Sequence, residues 1–440
     1  MVVVGAGYVA VAPAAAETLA EALASAYENN PTLNAQRAAL RATDEGVPKA
    51  LSGYRPTVSA SADAGITSAS SGVTHPRGVS ITIEQPIFTG HRTKNAVKIA
   101  ETAVLAGREA LRSAEQDTLL NAVSAFMALV RAQAVLNLRN QNLEFLGEQV
   151  RAAQDRLNVG EGTRTDVAQT DAARAVGRSL YNAAAASLNA AIAVYEQVIG
   201  HRPQRLGTAN RVDLMLPRTL EDALARAASM HPAILIGGYN IDIAAFNVKV
   251  VEGELMPTVG VAGSLSHRRD AGGPGTVSNS ASLVGSVKIP LYSGGLASAK
   301  VREAKEVLGQ RRIENDVARA QVRASVISTW GLVDAARAQT TAADSQVAAQ
   351  QLVLSGVIEE RKVGQRTTLD VLNAQQDLLD ARVAQVSAQY DRVVAAYSLL
   401  AAVGLLDVDH LRLNVRRYDP THHYDQVRDK WHGLQTPDGR

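Results

Sequence analysis

The chain has 440 residues, with 45 Lys and Arg against 43 Asp and Glu, and it contains no cysteine. A net charge of +2 lacks the basic footprint of a nucleic-acid binder, so nucleic acid is not an expected partner, and the missing cysteine excludes disulfides, thiolate metal sites and a thiol nucleophile. Aromatics make up only 4%, and the 46% apolar fraction leans on alanine, which points to close-packed helices rather than a bulky enzyme core.

In chain order, the first segment offers two readings. Gly5, Gly7 and Ala10 fit a GxGxxA dinucleotide fingerprint, which requires a helix opening directly behind the glycines. Pro13 interrupts that helix, and the run Ala14-Ala15-Ala16 before Glu17 reads instead as the cleavage site of an export signal over residues 1–16. Beyond it no apolar run approaches the roughly twenty residues of a membrane-spanning helix. A helical membrane protein is thereby excluded, but a β-barrel is not.

From residue 17 the chain is a duplication. Pro31 and Pro56-Thr57-Val58 recur as Pro232 and Pro257-Thr258-Val259 at an offset of 201, and after a three-residue insertion the offset becomes 204, matching Pro86/Pro290, Gly90/Gly294, Val159-Gly160/Val363-Gly364, Asp166-Val167/Asp370-Val371 and Gly200/Gly404. The predicted halves are residues 17–200 and 219–404, joined by a linker at 201–218 and followed by a C-terminal segment at 405–440. Two long copies indicate pseudo-symmetry, since a solenoid needs more and shorter units.

Each half runs through the same order of periodicities. A helix is predicted from 19 to about 51, and its copy from 220 to 255. Strands follow at about 58–66 and 79–87, then at 259–266 and 281–289, where apolar residues such as Val79, Ile81 and Ile83 alternate with Ser80, Thr82 and Glu84. Gly/Ser/Pro-rich stretches between the strands read as hairpin loops. Such strands suit either a lipid-exposed barrel or half-buried hairpins in a soluble protein. Four strands cannot close a barrel, so in lipid their edges must pair with other subunits. Long proline-free helices are predicted at 91–157 and 296–361, each about 100 Å at 1.5 Å rise. Gly turns at 158–166 and 362–370 lead into return helices at 166–200 and 370–404. On the second of these, Leu379, Val383, Val386, Tyr390, Val393 and Tyr397 form a heptad seam.

The turn sequences Val159-Gly160-Glu161-Gly162-Thr163-Arg164-Thr165-Asp166-Val167 and Val363-Gly364-Gln365-Arg366-Thr367-Thr368-Leu369-Asp370-Val371 resemble the two helix-turn tips of TolC-type outer-membrane exit ducts. Gln85-Pro86-Ile87-Phe88-Thr89-Gly90 and Ile289-Pro290-Leu291-Tyr292-Ser293-Gly294-Gly295 are similar to that family's strand-to-helix signatures, and the likeness runs in order from residue 17 to 415. The resemblance implies a mostly α fold with a small β part: a homotrimer with a twelve-stranded barrel in outer-membrane lipid and a helical tunnel in the periplasm. It implies a passive duct for type I protein secretion or multidrug efflux, working with a periplasmic adaptor and an inner-membrane ABC or proton-driven transporter. The runner-up reading is a soluble periplasmic helical-hairpin adaptor or scaffold.

The same resemblance assigns residues. Asp370 matches the acid of the periplasmic constriction, with Asn373 where the family often has a second acid. Arg366 matches a tip arginine that holds the closed state. Thr165 and Asp166 match gate-holding residues whose usual tyrosine partner is here Arg361, so an Asp166–Arg361 ion pair is expected. Gly160, Gly162, Thr163, Gly364 and Thr367 mark the expected adaptor-docking tips. The residues alone leave another reading open, in which Asp166 with Gln169 and Asp370 with Asn373 are helix N-caps contributing about 1 kcal/mol each. GxSxG, HExxH and Walker A patterns do not occur. His422, His423 and His432 cluster only in a tail expected to be exposed, so neither catalysis, a cofactor nor a metal is anticipated.

Overall fold

A computed structural model describes residues 16–69, 72–207 and 215–439. The export signal expected at 1–16 thus lies outside the described residues except for Ala16, as do residues 208–214 of the linker. The chain divides into two compact units. One comprises the described part of Met1–Asn34, Arg112–His231 and Gln321–Arg417; the other comprises Ala35–Leu111, Pro232–Ala320 and Tyr418–Arg440.

The helix expected over 19 to 51 is broken into three: α1 (Leu19–Asn29), α2 (Pro31–Asp44) and α3 (Gly46–Leu51). The break has a local cause. Asn30 Oδ1 accepts from the backbone N–H of Thr32 at 2.9 Å and of Leu33 at 3.2 Å, while Pro31 takes the first helical position, where its missing N–H costs nothing. The second half repeats the break between α6 (Leu220–Met230) and α7 (Pro232–Glu252), because Pro232 stands where Pro31 does.

The strands are β1 (Thr57–Ala64), β2 (Thr67–Ala69), β3 (Gly72–Thr74), β4 (Arg77–Phe88), β5 (Thr258–Arg269) and β6 (Val277–Lys288). The segment expected as a plain hairpin loop near residue 70 carries the β2–β3 ribbon, and β5 and β6 run further toward their loop than the alternation indicated. Cross-strand polar pairs continue that ladder: Ser266 and Ser280 hydroxyls meet at 2.8 Å, and His267 Nδ1 meets Asn279 Oδ1 at 2.6 Å.

The main sheet has the order β1-β4-β5-β6, all antiparallel. Its register aligns Ala60, Ile81, Leu265 and Ala281 on one face, and Ser61, Ser80, Ser266 and Ser280 on the other. The apolar face is left uncovered, with Ile81 47%, Leu265 60% and Leu283 79% exposed. On the polar face Arg268 reaches across β4 to grip both oxygens of Asp63, at 3.0 and 2.9 Å. It passes over Gly78, where a Cβ would stand 3.0 Å from Arg268 Nε.

The long helices are α4 (Arg92–Asn158), α5 (Arg164–Ile199), α8 (Leu296–Lys362) and α9 (Thr368–Val403). Helices α5 and α9 both stop at a left-handed glycine, Gly200 (φ 98°) and Gly404 (φ 85°). Two helical stretches, Arg92–Asn158 and Leu220–Leu255, hold windows apolar enough to cross a membrane by composition. In α4 much of that apolar content is core, since Leu119, Val123, Phe126 and Leu129 are buried. The heptad seam read on α9 is half-buried along most of its length and faces α4, with Arg131 stacked over Tyr390 at 4.4 Å. The tighter seam is alanine. Ala374, Ala381 and Ala388 recur every seven residues and are buried, and Thr340 of α8 donates to the Ala388 carbonyl at 3.4 Å.

The tail is docked, which corrects the expectation of exposure for His423, while His422 and His432 are exposed as expected. Its helix α10 (His422–Val427) places His423 Nδ1 2.9 Å from Asp44 Oδ2, with those side chains 13% and 1% exposed. Arg428 reaches Glu101 at 3.4 Å, and Arg55 stacks on Trp431 at 4.6 Å. Burial pushes the Asp44 carboxyl above its usual range, against the opposing pull of His423. Among the described residues no group of three or more His, Asp or Glu is arranged to hold a metal.

Candidate functional site: the two helix tips

The tips are built twice from one plan. After α4, Gly160 adopts φ 82°, its N–H bonds Leu157 O at 3.1 Å, and the Glu161 N–H bonds Arg156 O at 2.8 Å. After α8, Gly364 adopts φ 80°, its N–H bonds Arg361 O at 3.0 Å, and the Gln365 N–H bonds Glu360 O at 3.0 Å. Both are Schellman closures, which require a left-handed residue and so favour glycine there. Val159 and Val363, just before those glycines, are 71% and 70% exposed.

Each return helix then opens on a capping box. Thr163 Oγ1 accepts the Asp166 N–H at 3.1 Å, while Asp166 Oδ2 accepts the Thr163 N–H at 3.1 Å and its hydroxyl at 2.7 Å. Thr367 and Asp370 repeat this at 3.2, 2.8 and 2.8 Å. The caps are therefore the threonines, and the aspartates are their partners three residues on, which corrects the pairing with Gln169 and Asn373. The Thr367 N–H and hydroxyl hold the Asp370 carboxyl below its ordinary 3.8, with Arg366 adding to the effect. Asn373 is exposed one turn further along α9, and Thr165 is exposed on the first tip.

The two tips differ at one matched pair. At Gly162 an added Cβ would lie 3.2 Å from Arg156 Cβ and 3.1 Å from Leu157 N, a tight fit that a side chain would relieve only by a small shift of the turn. Its counterpart 204 residues on is Arg366, and the counterpart of Arg156 is Glu360. There Arg366 Nε meets Glu360 Oε2 at 2.7 Å, which raises the guanidinium pKa further. Arg366 thus closes its own turn.

The expected Asp166–Arg361 pair does not form within the chain. Asp166 is engaged by Thr163, and Arg361 instead donates to Gln149 Oε1 of α4 at 3.0 Å. Burial and the nearby Arg156 lower the Arg361 pKa, and its Nε is buried without a hydrogen-bond partner. Further links join α9 to α4: Gln375 donates to Asn142 at 3.1 Å, and Arg139 stands 3.8 Å from Asp380. Beneath them Leu354, Val371, Ala374 and Leu378 form a buried cluster against Phe145. Opposite charges six residues apart across a turn hint at Glu360–Arg366 in the sequence, whereas Gln149 carries no such signal.

A duplicated, doubly capped helix tip and an apolar-faced four-stranded sheet in one chain have a clear counterpart among known proteins. The family described as "Outer membrane efflux protein" matches residues 22–201 and 220–405. The chain belongs to that family. It is 47% identical over 431 residues to the outer membrane efflux protein BepC of Brucella suis, an alignment covering 97% of this chain and 94% of BepC. It is 24% identical to the outer membrane protein TolC of Escherichia coli over 91% of this chain and 85% of TolC. The crystal structure of the Campylobacter jejuni CmeC outer membrane channel superposes with a TM-score of 0.78 at 15% identity, covering 93% of this chain and 89% of that one. The efflux-protein family is one of TolC-type outer-membrane exit ducts, so the soluble adaptor or scaffold reading is set aside. The protein is thus an outer-membrane one whose long helices are periplasmic.

Proposed function

We propose that three copies of this chain form a passive exit duct whose periplasmic end is closed at the paired tips. The observation that carries the trimer is the sheet: β1 and β6 are its edges, its apolar face is exposed, and no open edge is tolerated in lipid. Joining β6 of one copy to β1 of the next closes twelve strands. Asp370 and Asn373 stand in the first turns of α9, and in the proposed trimer three copies of them would ring the axis, an arrangement that favours cations. Arg366, Arg361, Thr165 and Asp166 then belong to the closed state. The tip turns at Gly160, Gly162, Thr163, Gly364 and Thr367, with exposed Val159 and Val363, offer two related surfaces per copy to a periplasmic adaptor. Transport energy comes from an inner-membrane pump, ABC or proton-driven, and the chain itself is not an enzyme. The relatives support export of small molecules, of protein, or both.

A second reading of Asp370 is favoured by its hydrogen bonds, which make it a helix-cap partner first. Planar-bilayer conductance of wild type beside Asp370→Ala separates the two. Cation-preferring steps with selectivity reduced in the variant support the constriction. Unchanged steps leave the duct and make Asp370 a cap alone. Protein that stays soluble without detergent and never inserts overturns the duct.

A further inference from the structure

We infer that the junction of barrel and helices carries a binding site for an anionic phospholipid of the inner leaflet, built by Lys94, Lys98 and Lys249. These lysines line a cavity of about 330 Å³ together with Gly90, His91 and Met256. Glu252 also borders the cavity, but it faces Lys305 at 3.5 Å, and the neighbouring Glu254 is held by Lys300 at 2.9 Å. No carboxylate among the described residues forms an ion pair with the three cavity lysines. Lys98 and Lys249 converge instead on the ring of Phe246, at 5.2 and 5.6 Å, so their ammonium groups are gathered in one place with their charge uncompensated.

The cavity opens on the lipid side. Arg92 lines a separate hollow at the helix end of the sheet, bounded by Thr57, Glu84 and Lys288 of the polar face and by Phe88 and Val259 of the other. At about 100° per residue, Lys94 and Lys98 lie roughly 200° and 240° around α4 from Arg92. They therefore leave α4 on the side away from Arg92 and its hollow. His91 stacks edge-on against Phe88 at 5.1 Å, and Phe88 pairs with Val259, which pairs with Val287, on the apolar face.

Depth selects the ligand. Lys98 stands about 9 Å along the axis from Arg92, within reach of the headgroup layer by extending its flexible stem. Above the lysines, Met256 at the cavity rim is 47% exposed and Ile87 62% exposed, offering apolar surface to acyl chains. Three clustered ammonium groups directly below an apolar band match a phosphate-bearing headgroup with its tails upward. The strand ends that join helices face the periplasm, so the lipid is one of the inner leaflet.

The test measures the thermal midpoint of the full-length, detergent-extracted protein with added dioleoylphosphatidylglycerol or dioleoylphosphatidylcholine. Wild type should be stabilised at lower concentrations of phosphatidylglycerol than of phosphatidylcholine. Lys94→Gln/Lys98→Gln/Lys249→Gln should weaken the apparent phosphatidylglycerol affinity at least about tenfold. The control Lys300→Gln/Lys305→Gln should keep the preference. If the triple variant fails to fold, Lys249→Gln alone should reduce phosphatidylglycerol retained in native mass spectrometry. Equal shifts with both lipids, a preference that survives the triple substitution, or equal loss in the control would overturn the site. Glycerol phosphate producing the full effect would overturn the lipid in favour of a simple phosphate site.

Discussion

Arg361, at the end of α8, donates to Gln149 of α4 at 3.0 Å and thereby ties the second helical hairpin to the first just above the tips. Its remaining Nε is buried without a partner, and Arg156 repels it. Gln149→Ala therefore leaves a half-buried cation with less support and should loosen the tips. Loss of this one bond is worth about 1 kcal/mol. A measurable rise in the open fraction of single-channel recordings, repeated in Arg361→Ala, is the expected outcome; an unchanged open fraction in both would remove the bond from the closed state.

Acid should undo the second tip cap late. The Asp370 pKa lies below its unfolded value of 3.8, so its contribution is present above 3.8 and is lost as pH falls through the lowered folded value. Hydrogen exchange at the Thr367 amide should stay protected at pH 4 and speed up only under stronger acid. In Asp370→Asn that pH dependence should vanish. Protection lost already at pH 5 in wild type would contradict the assignment.

The docked tail hangs on a buried pair. Asp44 Oδ1 has no hydrogen-bond partner, so His423 is the main support of a carboxylate whose side chain is 1% exposed. His423→Ala should cost about 1–3 kcal/mol. Asp44→Asn, which removes the buried charge, should cost less. Chemical denaturation of the two variants side by side checks the order, and limited proteolysis should cut the tail faster in His423→Ala.

Gly90 and Gly253 meet backbone to backbone. A Cβ on Gly90 would lie 2.4 Å from Gly253 O, and one on Gly253 would lie 2.4 Å from Gly90 O. Gly90 also sits at φ 64°. Alanine at Gly253 should destabilise the protein by about 1–3 kcal/mol through overpacking. Wild-type stability in Gly253→Ala would show that the strand-to-helix junction yields.

Much of this architecture was legible from local signals. Glycine at 160 and 364 acts through its own backbone, so the tip turns follow directly from the chain, whereas the helix starts at Pro31, Pro232, Thr163 and Thr367 were resolved only in the structure. The break at Asn30 was missed because its two bonds to Thr32 and Leu33 compete silently with helical periodicity. The alanine seam on α9 was missed because the bulkier heptad of Leu379 and Val383 dominates any reading by hydrophobicity. Close approach between helices is instead decided by the smallest side chains.

By itself, then, the sequence determined the duplication, through its repeated residues, and the alternation of the main strands and the two tip turns, because those depend on spacing and backbone preference over short distances. Only the tertiary structure decided the long-range partners: Gln149 rather than Asp166 for Arg361, Asp44 for His423, and the gathering of Lys94, Lys98 and Lys249 at the strand-to-helix junction, with no ion-pair partner among the described residues. Polar side chains at the ends of long helices can satisfy themselves with any of several groups. Which one wins depends on distances that arise only when segments hundreds of residues apart are brought together.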